Sequence, residues 1–346
     1  MLGSQRAGAG PADESAQPSQ RLYRIGIFEA DANWENGKML DAVRASLRAK
    51  GWDKKIEYPP DAFKSGAAGD GEQAARMAGE LMDRKDLDCI FAMGTVATQA
   101  LLARNNGRTP IVGMTLSDPV SSGVVKSTKD SGVDNLTTCV IPNRWRNMLR
   151  LFNAVVRFKK LGVIYHDTPA GRTFTNVEDA RDVTREQGVA LLEYKSLESE
   201  PDTRQCLKGI DWLIGQGMDA FYIPDEPCFD WSLNDPRPLF EHLNAHHIAT
   251  FARIGLPLVQ LGAMMGSWYT DLRPLGDFQA AQVIAILQGA VPRTLNMIKP
   301  DELGLAVNLG TAREVGRDFS EEALVSADVI VARAIDLQTV RQWYSH

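Results

Sequence analysis

The sequence predicts an α/β protein made of two Rossmann-like parallel-sheet lobes joined by a multi-crossover hinge. Three observations predict it. The chain has 346 residues, more than one compact core usually holds. Short apolar runs alternate with amphipathic stretches, the pattern of βα units wound right-handedly on a parallel sheet. A polar interval rich in Gly, Ser and Asp, Ser117 to Asn135, then interrupts the alternation, which starts anew beyond it.

The elements follow in order. The apolar run Ile25 to Phe28 reads as a buried strand. Over Asn36 to Lys50, Met39, Leu40, Val43 and Leu47 recur on one helical face until Gly51 stops the helix. Lys55 to Tyr58 is a weaker strand, Gly71 to Arg84 a helix and Leu87 to Met93 a strand. Gly94 and Thr95 turn the chain into a helix through Ala103, and Pro110 to Leu116 is the next strand. Beyond the polar interval come Leu136 to Ile141, then a helix over Arg144 to Val156 and a strand over Leu161 to Tyr165. A helix over Phe174 to Gln187, a strand over Val189 to Tyr194 and a helix over Thr203 to Ile214 follow. Ala220 to Ile223 is a strand and Pro238 to Ala245 a helix. From Gly262 the chain adds a strand over Ala263 to Trp268, a helix over Asp277 to Leu287, a strand over Leu303 to Asn308 and a mostly helical tail from Thr311. This remainder is too small for its own core, so it must complete the other two. Repeated crossing between lobes makes a hinge with a defined closure. The expected organisation is a flexible tail over 1–21, one lobe from 22–139 plus 263–292, and a second from 140–262 plus 293–346.

Composition excludes several function classes. Apolar residues make up 44% and charged residues 24% of the chain, ordinary globular usage. A net charge of -6 argues against nucleic acid or an anionic membrane as partner. Met1 to Gln20 lacks the apolar segment of an export signal as it stands and reads as a flexible tail. Cys89 and Cys139 sit in strand-like runs and read as small core residues. Cys206 and Cys228 can pair in an oxidising compartment, which spacing alone leaves open.

In open parallel sheets, ligands bind beyond the carboxyl ends of the strands. The residues placed there are Glu29, Asp31 and Trp34 after the first strand, Gly94 and Thr95 after the third, and Ser117 and Asp118 after the fourth. In the second lobe they are Thr168 and Asp225, with Arg253 after another apolar run. Tyr269 and Asp271 follow Trp268. Thr95 at a strand-to-helix junction is read as a cap whose neighbouring N–H groups hold a carboxylate. Asp118 or Asp225 would pair with an amine, and Arg253 with a carboxylate. Each has a plainer reading: Thr95 as a mere cap, Asp118 as a turn former before Pro119, Arg253 as a surface charge. Trp34, Tyr222, Trp268 and Tyr269 can sandwich a flat ligand, although aromatics more often fill cores.

Signatures of catalysis are missing: no GxSxG, HExxH, GxxxxGK[ST] or GxGxxG occurs. His242 and His246 stand i,i+4 on a helix with no further ligand at a fitting spacing, so an exposed face is the plainer reading. The expectation is a protein that is not an enzyme and that uses no cofactor or metal.

The stretch Ser117-Asp-Pro-Val-Ser-Ser-Gly-Val-Val125 resembles the Asp-Pro-Val-x-x-Gly-Leu-Val segment of the ABC transporter substrate-binding family related to tryptophan/tyrosine-binding lipoproteins. Gly94-Thr-Val-Ala97 is similar to that family's Gly-Thr-x-Ala turn, and Gly132-Val-Asp-Asn-Leu-Thr137 to its Gly-x-Asn-x-Thr crossover. Gly262-Ala263, Leu275-Gly276 and Val307-Asn-Leu-Gly-Thr-Ala312 with Gly316 resemble its last third. The match runs from about Arg24 to Val331. It departs at Ser131, where proline is usual, at Thr138, where glycine is frequent, and at an extra loop over Pro227 to Pro236. No lipobox cysteine is present. The resemblance implies a type I periplasmic binding protein fold in a periplasmic or otherwise extracytoplasmic protein. It also implies a small-molecule ligand of the aromatic amino acid kind, delivered by hinge closure to an ABC permease. A monomer is expected. The rival reading is a ligand-sensing domain that partners a membrane receptor kinase.

Overall fold

The computed structural model describes residues 21–30, 34–66, 70–198, 201–253, 255–268, 271–300 and 304–344. In the first lobe, strand β1 (Tyr23–Glu29) leads to helix α1 (Trp34–Ala49), followed by β2 (Ile56–Glu57) and β3 (Phe63–Ser65). Helix α2 (Gly71–Met82), β4 (Cys89–Met93), α3 (Thr95–Ala103), β5 (Ile111–Met114) and β6 (Leu136–Thr138) complete this pass. The strands order as β2-β1-β4-β5-β6, with β3 beside β1, and every pair is parallel.

The second lobe opens with α4 (Arg144–Val156), β7 (Lys160–Ile164), α5 (Pro169–Thr175), α6 (Val177–Gln187) and β8 (Ala190–Tyr194). Then come α7 (Thr203–Gly215), β9 (Ala220–Ile223), α8 (Arg237–Ala245), β10 (Ala249–Ala252), α9 (Leu256–Leu261) and β11 (Met265–Trp268). The chain returns to the first lobe as α10 (Arg273–Leu287). It ends in the second with β12 (Gly304–Asn308), α11 (Leu309–Glu314), α12 (Glu321–Val325), β13 (Val329–Val331) and α13 (Leu337–Tyr344). This sheet orders as β13-β12-β11-β10-β9-β7-β8, with β11 and β12 antiparallel.

Period-two patterning builds two core layers on each sheet. In β4, Cys89, Phe91 and Met93 face α1 and α10, whereas Ile90 and Ala92 face α2 and α3. In β9, Phe221 and Ile223 face the α7–α8 side, and Ala220 and Tyr222 face α4 and α6. Burial on both faces explains why the strands read as unbroken apolar runs rather than alternating ones.

Several sequence expectations change. The strand expected at 263–268 was placed with the first lobe, but Met265–Trp268 pairs with β10 and β12 of the second sheet. Only α10 crosses back, and the chain stays there through Met297, which packs in the first lobe's core. The helix expected over 174–187 is two helices, broken at Asn176, whose left-handed backbone (φ 53°) ends one and starts the next. Strands β3 and β13 and helix α9 were not anticipated.

Gly276 sets the closeness of α1 and α10. A Cβ there would lie 2.7 Å from the backbone of Ala42, a clash that no side-chain rotation relieves. Gly276→Val is expected to lower the free energy of unfolding by roughly 1–3 kcal/mol, measured by urea titration. An unchanged midpoint would mean that the helices part at little cost.

Cys206 and Cys228 form a disulfide, both ends buried, across 22 residues. It ties α7 to the loop over Pro227 to Pro236. Cys206→Ser together with Cys228→Ser is expected to cost about 3 kcal/mol by loop entropy, and a reducing agent should reproduce the loss in the parent chain.

Candidate functional site

The carboxyl ends of both sheets face a single cleft of about 1700 Å³. Its first-lobe wall comes from the start of α1, the β4–α3 turn, the loop after β5 and one face of α10. Its second-lobe wall comes from the segments after β7, β9 and β10, with Trp343 and Tyr344 of α13 at the rim. Three passages of the chain join the lobes: 139–143, between Trp268 and Arg273, and between Pro300 and Gly304.

Arg253 stands at the centre. Its guanidinium is almost wholly buried, with the residue only 2% exposed. Nη1 donates to Ser117 Oγ at 2.7 Å and to Asn176 Oδ1 at 3.1 Å, and Nη2 donates to Asp225 Oδ2 at 2.6 Å. The group lies 4.6 Å from the ring centre of Trp145, a cation–π contact. Trp145 in turn donates its indole N–H to the Ser117 carbonyl at 3.1 Å. Two second-lobe side chains thus grip one first-lobe residue, both side chain and backbone. The plain reading of Arg253 as a surface charge does not hold. Its terminal nitrogens are committed within the protein, and Nε alone has no partner.

The β4–α3 turn differs from expectation in one respect. Gly94 occupies the cap position with φ 88° and ψ 166°, a conformation that requires glycine. Thr95 is the first helical residue and does not cap the helix. Its hydroxyl instead accepts the Ser117 N–H at 3.4 Å. Thr168 is a true cap, accepting from Gly171 N at 3.1 Å. Asp118 accepts from Val120 N, Ser121 N and Ser121 Oγ, which is the geometry of a turn former. Asp271 pairs with Arg273 at 2.7 Å.

Glu29 lies outside the cleft wall and accepts from Ser65 Oγ at 2.7 Å. Trp34 lines the cleft and also packs against Trp231 and Tyr344, with ring centres 5.8 and 6.0 Å away. Tyr222 is fully buried against Phe251 in the second lobe's core. Asp31, Tyr269 and the side chain of Trp268 lie outside the described residues. His242 bonds to Asp211 at 2.7 Å. Among the described residues no cluster of His, Cys, Asp and Glu is arranged to hold a metal.

Sequence reasoning missed three cleft residues, Glu35, Thr115 and Gln279, and placed a fourth, Glu226, after the Ala220 to Ile223 strand without giving it a role. Glu35, beside Trp34, is lifted to about 7 by burial first and by the charge of Asp225 next. Glu226, only 7% exposed, is lifted to about 8 by the same two causes. Thr115 holds a left-handed φ of 55°, rare for a β-branched residue, and donates to Asn36 Oδ1 at 2.6 Å. Gln279 of α10 is 1% exposed and donates to Gly113 O at 3.1 Å. An acid in a helix's first turn is ordinary, so nothing in the sequence marked Glu35.

Residues 36–331 match the family described as ABC transporter substrate binding protein. A tyrosine-binding protein from Clostridioides difficile (strain R20291) is 24% identical over 225 residues, 64% of this chain and 62% of that protein, so the chain spans less than two thirds of that relative. Among solved structures, an ABC domain in complex with L-Trp from Streptococcus pneumonia superposes with a TM-score of 0.72 at 18% identity, covering 90% of this chain and 100% of that one. A periplasmic binding protein type 1 from Bordetella pertussis Tohama I superposes with a TM-score of 0.50 at 18% identity, covering 72% and 68%. The two-lobed α/β architecture is the type I periplasmic binding protein fold. Proteins of this kind bind substrates rather than convert them, and with most of its length inside the match, this chain belongs to the ABC transporter substrate-binding protein family.

Proposed function

We propose that the protein captures an aromatic amino acid or a related small molecule outside the cytoplasm, by closure of its two lobes, and delivers it to an ABC permease. The carrying observation is the cleft itself: about 1700 Å³ between the carboxyl edges of two sheets, with polar groups on both walls. The ligand class is favoured by the tyrosine-binding relative and by the L-Trp complex of the structural neighbour. The buried Cys206–Cys228 disulfide favours an oxidising compartment. Among the described residues no helix is long and apolar enough to cross a membrane.

Gly94, Thr95, Ser117, Thr168, Asp225 and Arg253 are the proposed contact set. Free N–H groups at the start of α3 suit a carboxylate. Closure follows if the ligand binds the closed form better than the open one, and the Arg253–Ser117 bond is one contact that only approached lobes can make.

The test is a thermal-shift screen over amino acids and small aromatics, followed by solution scattering. A ligand at one hundred times its Kd stabilises the native state by about 2.7 kcal/mol, which an upward shift in Tm reports. If no aromatic amino acid or close analogue shifts Tm, the ligand class is wrong. If a confirmed ligand leaves the radius of gyration unchanged, hinge closure is wrong.

A further inference from the structure

We propose that Trp34 is a positioning residue that clasps the two lobes together, its indole docking from the first lobe into an aromatic socket that Trp231 and Tyr344 build on the second. This rests on the closing two-lobed reading above and not on the ligand class.

Trp34 opens α1, a helix that packs against α10 in the first lobe. Its ring nevertheless packs against the hydrophobic core of the second lobe. The ring centre stands 5.8 Å from that of Trp231 and 6.0 Å from that of Tyr344, and those two are 5.4 Å apart. All three pairs are tilted, at separations where aromatic rings attract.

The socket is held by the second lobe's own contacts. Trp231 is 6% exposed and follows closely on Cys228, which the disulfide fixes to α7. Leu337 and Val340 seat α13 in the same core. Arg341 of that helix donates from Nε to Trp231 O and from Nη2 to Asn234 O, each at 2.9 Å, so helix and loop are tied together. Tyr344 donates its hydroxyl to Gln260 Oε1 at 3.1 Å. None of these partners belongs to the first lobe, so the socket does not depend on closure, whereas Trp34 reaches it only when the lobes meet.

The clasp is assembled from parts of the chain that the shared family pattern does not supply. The family match spans 36–331. Trp34 and Tyr344 lie on either side of it, and Trp231 lies in the loop where the sequence departs from the family.

The clasp also sits apart from the Arg253 contact. Arg253 reaches Ser117, beyond β5, whereas the socket receives the start of α1, beyond β1. Two contacts at different strand ends fix the angle at which the lobes meet, where one would leave a swivel. Opening returns the Trp34 ring and its socket to water, which is unfavourable for apolar surface. One aromatic pair shifts an equilibrium by roughly two- to tenfold, and Trp34 makes two. That strength biases the hinge toward closure and leaves the ligand to complete it. Affinity for any ligand of the closed form then falls by the same factor as the closed fraction when the clasp is removed.

Solution scattering without ligand, on the parent, Trp34→Ala, Tyr344→Ala and the double variant, tests this. Both single variants are expected to show a larger radius of gyration at unchanged far-ultraviolet circular dichroism. The closed-to-open ratio should fall roughly fivefold or more in Trp34→Ala. The double variant should expand no further than Trp34→Ala, because that change already removes every ring contact between the lobes at this point. A parent radius in both single variants would overturn the proposal. So would expansion in Tyr344→Ala alone, which would make the tyrosine a support of the second lobe only. Expansion in Trp34→Ala while no aromatic amino acid shifts Tm leaves the clasp standing and removes the ligand class. A parent radius in both variants alongside an aromatic ligand that does shift Tm removes the clasp and leaves the ligand class.

Discussion

Arg253→Met is expected to destabilise the protein by about 3–5 kcal/mol at pH 8, the usual loss when one member of a buried charge network is removed. Methionine roughly keeps the volume and the Trp145 contact, so the loss reports charge and hydrogen bonds rather than a cavity. Three acceptors lose their donor: Ser117 Oγ, the buried Asn176 Oδ1 and Asp225. The larger part is electrostatic. Arg253 holds down Glu35 and Glu226 against burial and against Asp225, and without it these acids face each other unscreened. The loss should shrink at pH 4, where Glu35 and Glu226 are protonated with or without the arginine. Urea unfolding at the two pH values checks this. Equal losses at both would mean that Arg253 acts by packing alone. Because Ser117 belongs to the other lobe, the variant should also expand in solution scattering without ligand, and Arg253→Lys should restore charge but not the fork to Ser117, Asn176 and Asp225.

The parts of the fold that sequence foretells are those with local causes. Runs such as Cys89–Met93 and faces such as Met39, Val43 and Leu47 carry their period in neighbouring residues. Gly94 announced a turn because no other residue takes its φ at low cost. Membership of β11 in the second sheet has no local cause. Met265–Trp268 reads the same whichever sheet it joins, and only pairing with β12, some forty residues on, decides it. The break at Asn176 had a faint signal, since asparagine tolerates left-handed backbone, but apolar spacing on both sides hid it.

The site was legible in outline for the same reason. Strand ends can be counted, so Ser117, Thr168, Asp225 and Arg253 were placed near one another, and the Arg253 bonds join two of those to it. What each does there depends on partners far along the chain. Ser117 and Arg253 are 136 residues apart, and no spacing rule reaches that distance. Thr95 looked like a cap because its neighbours are those of a cap, yet the backbone places Gly94 one residue earlier in that role. Glu226 follows Asp225 as one more acid on a loop, and only folding shows which of the two is buried.

That difference between neighbours makes Glu226 the second large effect. Asp225 is half exposed and paired with Arg253, whereas Glu226 is 7% exposed and lifted to about 8 by burial and by Asp225. The unfolded chain releases its proton near the ordinary value of 4.5, so between there and about 8 the native state binds more protons than the unfolded one. Stability carried by the protonated group is therefore complete below pH 4.5 and is lost as pH rises through 8. Glu226→Gln keeps the shape of the protonated acid and cannot ionise. It should match the parent near pH 4 and exceed it by something on the order of 5 kcal/mol above pH 8. Tm of both proteins across pH 4 to 9 gives the comparison directly. Parallel curves would mean that Glu226 ionises in the native state as easily as in the unfolded one, so that burial costs it nothing. Diverging curves would mean that Glu226 keeps its proton at neutral pH in the native protein, held there by burial and by the charge of Asp225.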